Sequence, residues 1–496
     1  MTTMKKLVSL VLAILMLCAC VAANAATITI QNGNENSQYN IYKLLDVTVS
    51  EDGKNYSYKL NETYADVLKA VLGDEPIAIL QGLVSESEEL YDKGQQIYTK
   101  IKEAGIPADA TVTGNDVSED VGQGYVLVVE TALGDLEDTY SLHMLDTAQG
   151  ENITVTTKEA VPTLEKKLKE TNDTTGEVSD WQDGADYDVT DEIPFKLTGT
   201  LSSKYDHYKT YYYEFEDTMD DGLTFIPGSV KVYVDNGDGA EPVDVTASFV
   251  TTNTDDQNFT VVCEDLKKIE NADIDFESKI VVEYSAKLNS DCVLAPEGNE
   301  NKAMLKYNNN PYYDGTGEDG SDENTSETPW DQVVVFTYKL DVTKVDSEMN
   351  ELTGASFALY KKVKIDGAVQ EVQIAEIDGT DTSKFVFERL DAGDYIIKET
   401  ATPDGYNPIA DIAFTITADY DTEANTPAFG TLTVTPDSFS VNEETKIIST
   451  SIVNQSGQEL PTTGGIGTTI FYVVGGVLVL LAVVLLVTKR RVGEEN

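Results

Sequence analysis

The chain has 496 residues, 87 of them acidic and 35 basic, for a formal net charge of −52. Such a surface repels nucleic acid, and no basic stripe or basic-aromatic interleaving offers a place for it. An apolar content of 41% supports packed cores, so the chain is not a disordered acidic polymer, and its length predicts several domains.

Lys5 and Lys6 precede the apolar run "LVSLVLAILMLCACVAA" and then Ala23-Asn24-Ala25. This order reads as a secretory signal peptide over residues 1–25, with the mature chain starting near Ala26. A lipoprotein site at Cys20 is the competing reading of the same stretch. Beyond it only Cys263 and Cys292 remain, too few for a disulfide framework, and whether they pair is left open. "TYADVLKAVLG" spaces Val67, Leu68, Val71 and Leu72 as a helix face, with Gly73 as its stop, and "SEELYDKGQQIYTKIKEAG" predicts a second helix. Strand signals dominate the rest: "YVLVVE", "SVKVYV", "KIVVEYSAKL", "DQVVVFTYKLDVTKV", "KFVFERL", "DYIIKE" and "GTLTVT". The fold class is therefore mainly β, as antiparallel sandwiches with some helix in the N-terminal domain. The predicted domains are 26–158, 159–331 and 332–459. The polar stretch "YYDGTGEDGSDENTSETPWD" reads as a loop or linker near the second boundary.

Period-two alternation puts several polar residues on apolar strand faces. In "TLEKKLK", Leu164, Lys166 and Leu168 share a face. In "GNENKAMLKY", Asn301, Ala303, Leu305 and Tyr307 do, with Asn309 as a reserve asparagine. In "LDVTKVD", Leu340, Val342 and Lys344 face together. Tyr395, Ile397 and Glu399 do so in "YIIKETATPDGY", and Ile452 and Asn454 in "STSIVNQ". A lysine on an apolar face is costly unless it is paired. The middle and C-terminal domains thus each have an inward lysine and an inward asparagine. A plain buried ion pair is the alternative use of such a set.

The chain ends with Leu460-Pro461-Thr462-Thr463-Gly464, an uninterrupted apolar run from Ile470 to Val487, and Lys489, Arg490 and Arg491. At ~1.5 Å per residue the run is ~27 Å long, enough to span a bilayer with the basic tail inside. Residues 460–496 are thus a motif, a transmembrane helix and a basic tail.

The pentapeptide resembles the LPxTG sorting signal of Gram-positive surface proteins. That resemblance implies that a sortase thiol attacks Thr463, expels Gly464, and passes the acyl group to an amine. The span holds the chain at the membrane only until then. Lys344-Val345-Asp346, Leu352-Thr353-Gly354-Ala355-Ser356-Phe357, Tyr395 to Glu399 with Pro403-Asp404-Gly405-Tyr406, and Asn454 together resemble the Cna-B-like domains of adhesins and pilins. The likeness implies an isopeptide bond between Lys344 and Asn454, promoted by Glu399. A buried lysine is pushed toward its neutral, nucleophilic form, and a buried acid toward its protonated form. For the middle domain, "YYYEFEDTMDDGLTF" resembles a strand of backbone-pilin middle domains. It implies Asp217 as the acid for Lys166 and Asn301, with a solvated turn aspartate as the alternative.

As a whole the sequence resembles sortase-assembled backbone pilins, most weakly in the first domain. The resemblance implies subunits joined head to tail and to peptidoglycan, with adhesion to host surface ligands as their use. It places the intersubunit lysine near the first domain junction, often in a Y-P-K motif. Here Lys158 is the candidate, although Thr156-Thr157 stand where that motif has tyrosine and proline. An exposed surface lysine is the plain alternative. A singly anchored adhesin or minor pilin would share every feature except Lys158. An enzyme is disfavoured: the two histidines, His143 and His207, sit in no H-E-x-x-H or G-x-S-x-G context. No cofactor or metal is required.

Overall fold

The computed structural model describes residues 26–31, 34–50, 55–85, 87–133, 139–149, 152–156, 161–237, 239–311, 324–457 and 472–484. They fall into two compact units. The first takes the described residues of 26–170, 179–336 and 420–429, and the second takes 171–178, 337–419 and those from 430 onward.

The N-terminal part of the first unit is a sheet covered by helices. Strand Gln38–Val49 is its centre, pairing with Tyr56–Leu60, Gly124–Ala132 and Ala110–Thr113, and Gly124–Ala132 pairs in turn with Leu142–Asp146. A smaller sheet sets Thr27–Gln31 between Val117–Asp120 and Ile153–Thr156. Helix Ala65–Leu72 buries Val67, Leu68 and Leu72 and ends at Gly73, whose φ of 81° suits glycine. Helix Glu88–Glu103 starts under a Ser87 cap, whose hydroxyl oxygen accepts from Leu90 N. Both helices follow the sequence pattern. A third, Pro76–Gly82, was not foreseen. It begins on a proline, which suits a first turn that has no use for the missing N–H.

The rest of the first unit is a two-sheet sandwich. One sheet runs Gly184–Asp186, Asp331–Phe336, Asn299–Asn308, Tyr213–Met219, Asn258–Cys263, Val250–Asn253. The other runs Val243–Asp244, Lys231–Asp235, Lys279–Leu288, Ile193–Thr200, Leu164–Leu168. Ile193–Thr200 and Lys279–Leu288 alternate buried and part-exposed residues without a break, as strands with one face in the core must. Their inward side chains join Phe215, Phe259, Leu305 and Tyr307 in a single core.

The second unit holds two further sheets. In one, the order is Lys384–Leu390, Tyr338–Val345, Ile448–Val453, Phe439–Val441. In the other it is Ala368–Gly379, Ala355–Ile365, Gly393–Ala401, Ile412–Tyr420, Phe429–Thr435. Tyr338–Val345 and Ile448–Val453 lie parallel and adjacent, with Lys344 opposite Ile452.

Two readings shift. "DQVVVFTYKLDVTKV" is two strands, not one. Asp331–Phe336 pairs with Asn299–Asn308 and Gly184–Asp186 in the first unit, and the second unit resumes at Thr337. Val333 to Phe336 are all buried, so the alternation that would mark a break is missing. Within the polar stretch taken as a linker, Thr325–Glu327 forms a strand on Asn299–Asn308, while 312–323 lie outside the described residues. Cys263 is a free thiol, so it does not pair with Cys292, and burial pushes it up to about 11. Of the apolar span, residues 472–484 are helical. Among the described residues no helix is long and apolar enough to cross a membrane, and both ends of the predicted span lie outside them.

Candidate crosslinking sites

Lys166 stands on strand Leu164–Leu168, with Leu168 beside it on the inner face. Asp217 and Asn301 stand on neighbouring strands of the opposite sheet, where Asp217 is level with Ala303 and Met219 with Asn301. The three side chains meet in the core, all wholly buried. Lys166 Nζ lies 2.5 Å from Asp217 Oδ2 and donates to Asn301 Oδ1 at 2.6 Å. The fourth member, Tyr284, was not foreseen. Its hydroxyl is 2.9 Å from Lys166 Nζ, donates to Asp217 Oδ2 at 2.7 Å, and accepts from Asn301 Nδ2 at 2.9 Å. Phe195 and Tyr284 stack at 5.2 Å, and their rings lie 5.6 and 5.5 Å from the ammonium. The signal for Tyr284 was its place in "KIVVEYSAKL", level with Ile280, Val282 and Ala286, but a core tyrosine there looks like ordinary packing.

Burial sets the chemistry. It pushes the Lys166 amine down, against the pull of Asp217. It pushes the Asp217 carboxyl up, against its contacts with Lys166 and Tyr284. Asp217 Oδ1 is buried with no hydrogen-bond partner, which further disfavours the ionised form. Both shifts favour a neutral amine beside a neutral acid. The amide carbon of Asn301 is the electrophile within reach. Its nitrogen is already linked through Tyr284 to Asp217, a path for the proton that a leaving amine needs.

The second set lies in the second unit. Lys344 and Asn454 are wholly buried and Glu399 is half-buried. Asn454 Nδ2 donates to Glu399 Oε1 at 2.9 Å and to Asn407 O at 3.0 Å. Glu399 Oε2 accepts from Thr402 Oγ1 at 2.9 Å and from Ile409 N at 3.2 Å. Lys344 Nζ donates to the carbonyls of Val345 at 2.9 Å and Ile452 at 3.0 Å. The backbone N of Asn454 also donates to Val345 O, so lysine and asparagine converge on one carbonyl. Asn454 Oδ1 has no hydrogen-bond partner. An amide flip would turn that oxygen toward Glu399. Burial pushes the Lys344 amine down, against Glu399 and Asp346.

The reserve residue Asn309 is elsewhere, with its Nδ2 donating to Thr325 O at 2.8 Å. Lys158 and the pentapeptide from Leu460 to Gly464, with Pro461, Thr462 and Thr463, lie outside the described residues.

Stretches of the chain match known protein families. Residues 185–311 match the family described as Gram-positive pilin backbone subunit 2, Cna-B-like domain. Residues 338–428 match a prealbumin-like fold domain, and 452–492 match the LPXTG cell wall anchor motif. The chain is 24% identical over 398 residues to the trypsin-resistant surface T6 protein of Streptococcus pyogenes serotype M6, covering 67% of this chain and 70% of that one. The solved T6 backbone pilin of the same serotype, described as a modular three-domain structure, has a similar fold. The TM-score is 0.55 at 16% identity, covering 88% of this chain and 99% of that one.

Proposed function

We propose how this chain, a wall-anchored backbone pilin of the Gram-positive cell surface, becomes a covalently braced fibre. Its middle sandwich closes a bond between Lys166 and Asn301, and its C-terminal sandwich closes one between Lys344 and Asn454. The observation that carries the reading is the buried Lys166–Asp217–Tyr284–Asn301 set, with the amine 2.6 Å from the amide oxygen. Neutral Lys166 attacks Cγ of Asn301. Asp217 gives its proton, through Tyr284, to the departing amide nitrogen and takes one back from the attacking nitrogen. The Nζ–Cγ bond forms, the Cγ–Nδ2 bond breaks, and ammonia leaves. Glu399 plays the acid for Lys344 and Asn454 once the amide has turned.

A bond between Lys166 and Asn301 joins the two sheets of one sandwich. It constrains the unfolded chain as a disulfide does, for about 2–5 kcal/mol by that analogy. It also shortens the path along which tension can extend the domain. In the same reading the chain has three domains, with the border between the second and third at Thr337. A sortase transfers Thr463 to Lys158 of the next subunit, and finally to peptidoglycan. Head-to-tail joining of this kind is heterologous and does not close, so it makes a filament.

The test of the polymer joint is a Lys158→Ala strain. Its enzymatically released wall extract should lose the ladder of high-mass species and keep monomer. A ladder unchanged in that strain would move the joint to another lysine.

A further inference from the structure

Among the described residues three lysines are wholly buried: Lys166, Lys344 and Lys361. The proposed Lys–Asn bonds use the first two. Lys361 lies on strand Ala355–Ile365 in the second unit, inward with Phe357 and Leu359. Its Nζ is 2.6 Å from Asp173 Oδ2 and 2.7 Å from each oxygen of Asp391. Asp391 is 2% exposed and Asp173 18%. The Tyr395 hydroxyl donates to Asp391 Oδ1 at 2.5 Å. Segment 171–178, which carries Asp173, is held in place around it. Lys364 N donates to Asp173 O at 2.8 Å, and Thr174 Oγ1 donates to Lys362 O at 3.0 Å and accepts from Asp394 N at 3.0 Å.

This set repeats the parts of the Lys166 site. Each has a wholly buried lysine, an aspartate tied to a tyrosine hydroxyl, and a second acyl group at hydrogen-bond distance from the amine. Asp391 and Tyr395 correspond to Asp217 and Tyr284. The chemical difference lies in the acyl group, a carboxyl of Asp173 in place of the amide of Asn301.

We propose that Lys361 and Asp173 condense to a Lys–Asp amide, a third internal crosslink, with Asp391 as the promoting acid. The Nζ–Cγ bond forms and a Cγ–O bond of Asp173 breaks. Asp391 takes one proton from the Lys361 ammonium, which frees the attacking amine, and a second from the nitrogen once it has bonded, and delivers both to the departing oxygen, which leaves as water. No oxidant or other reactant is consumed. The bond staples segment 171–178 to strand Ala355–Ile365 across most of the intervening sequence. It rests on the chemistry proposed for Lys166, yet it is read on its own peptides and has its own mass signature.

The experiment is tandem mass spectrometry on the denatured, digested full chain. The expected result is a peptide joining Lys361 to Asp173, lighter than its two linear parts by one water, whereas the Lys166–Asn301 peptide is lighter by one ammonia. Asp391→Ala should lose the first join and keep the second. Asp173→Asn should keep the join with an unchanged product mass, because ammonia leaves in place of water. Recovery of Lys361 wholly in linear peptides, with Lys166 joined to Asn301, overturns this proposal alone. Linear recovery of both lysines overturns the crosslink reading as a whole.

Discussion

The middle and C-terminal sandwiches bury the same pair of reactants in different ways. In the first unit, Lys166 and Asn301 come from opposite sheets and meet across the core. In the second, Lys344 and Asn454 come from adjacent parallel strands of one sheet, or just past its end, and Lys344 donates to backbone carbonyls. The acid differs to match. Asp217 is wholly buried and touches the amine directly, while half-buried Glu399 holds the amide. A bond across two sheets ties together the layers of the sandwich. A bond within one sheet ties together strands already paired by their backbones. The middle site also needs no rearrangement before attack, whereas the other needs its amide to turn. The middle bond should therefore close faster and matter more to stability.

Asp217→Ala breaks the comparison at its strongest point. It removes the promoting acid and leaves Lys166 buried without a carboxylate. The expected loss is about 2–5 kcal/mol from the missing crosslink and about 1–3 kcal/mol from a buried amine left without its partner. Calorimetry should show a large fall in melting temperature, and digestion should return Asn301 in linear peptides. A variant that melts like the parent would mean that Asp217 is not the acid.

Tyr284→Phe sharpens the comparison without emptying the core. The ring still packs on Phe195, but the link from Asn301 to Asp217 is cut. Closure of the middle bond after refolding should slow by roughly a hundredfold, the low end of what a positioned proton relay supplies. Closure of the C-terminal bond in the same molecule should keep its rate and serve as the internal clock. Equal slowing of both would point to a folding defect instead.

Asn454→Ala is the mildest test and reads pH. Without its amide partner Lys344 stays an amine, held by burial below the usual 10.5. The folded variant then binds fewer protons than the unfolded chain between that lowered value and 10.5. Its stability should rise as pH climbs through this window. In the parent, with the proposed bond closed, Lys344 is an amide and contributes no such slope. Denaturant midpoints across the alkaline range check this, and matching slopes for parent and variant would contradict it.

Much of this was legible in the sequence because alternation is a strong constraint. A polar residue two places from Leu168 or Val342 on a strand has nowhere to point but inward, which marked Lys166 and Lys344. The same rule marks Lys361, two places from Leu359 in "SFALYKKVKI", but a run of three lysines in four positions hides it as a solvated patch. Tyr284 was hidden for the opposite reason, since an inward tyrosine needs no partner to explain it. Asp173 could not be paired with Lys361 at all. It lies 188 positions away in chain order, and only the fold brings the two to 2.6 Å. The break at Thr337 left no trace because both faces of Asp331–Phe336 are covered, so hydrophobicity runs through it.

The most direct test of the central claim is the covalent state of Lys166 in the unmodified full chain, read by tandem mass spectrometry after denaturation and digestion. The account predicts one branched peptide joining Lys166 to Asn301, lighter than its two linear parts by one ammonia. Full recovery of linear peptides with a free Lys166 amine and an intact Asn301 amide would contradict it, and would leave the site a buried ion pair.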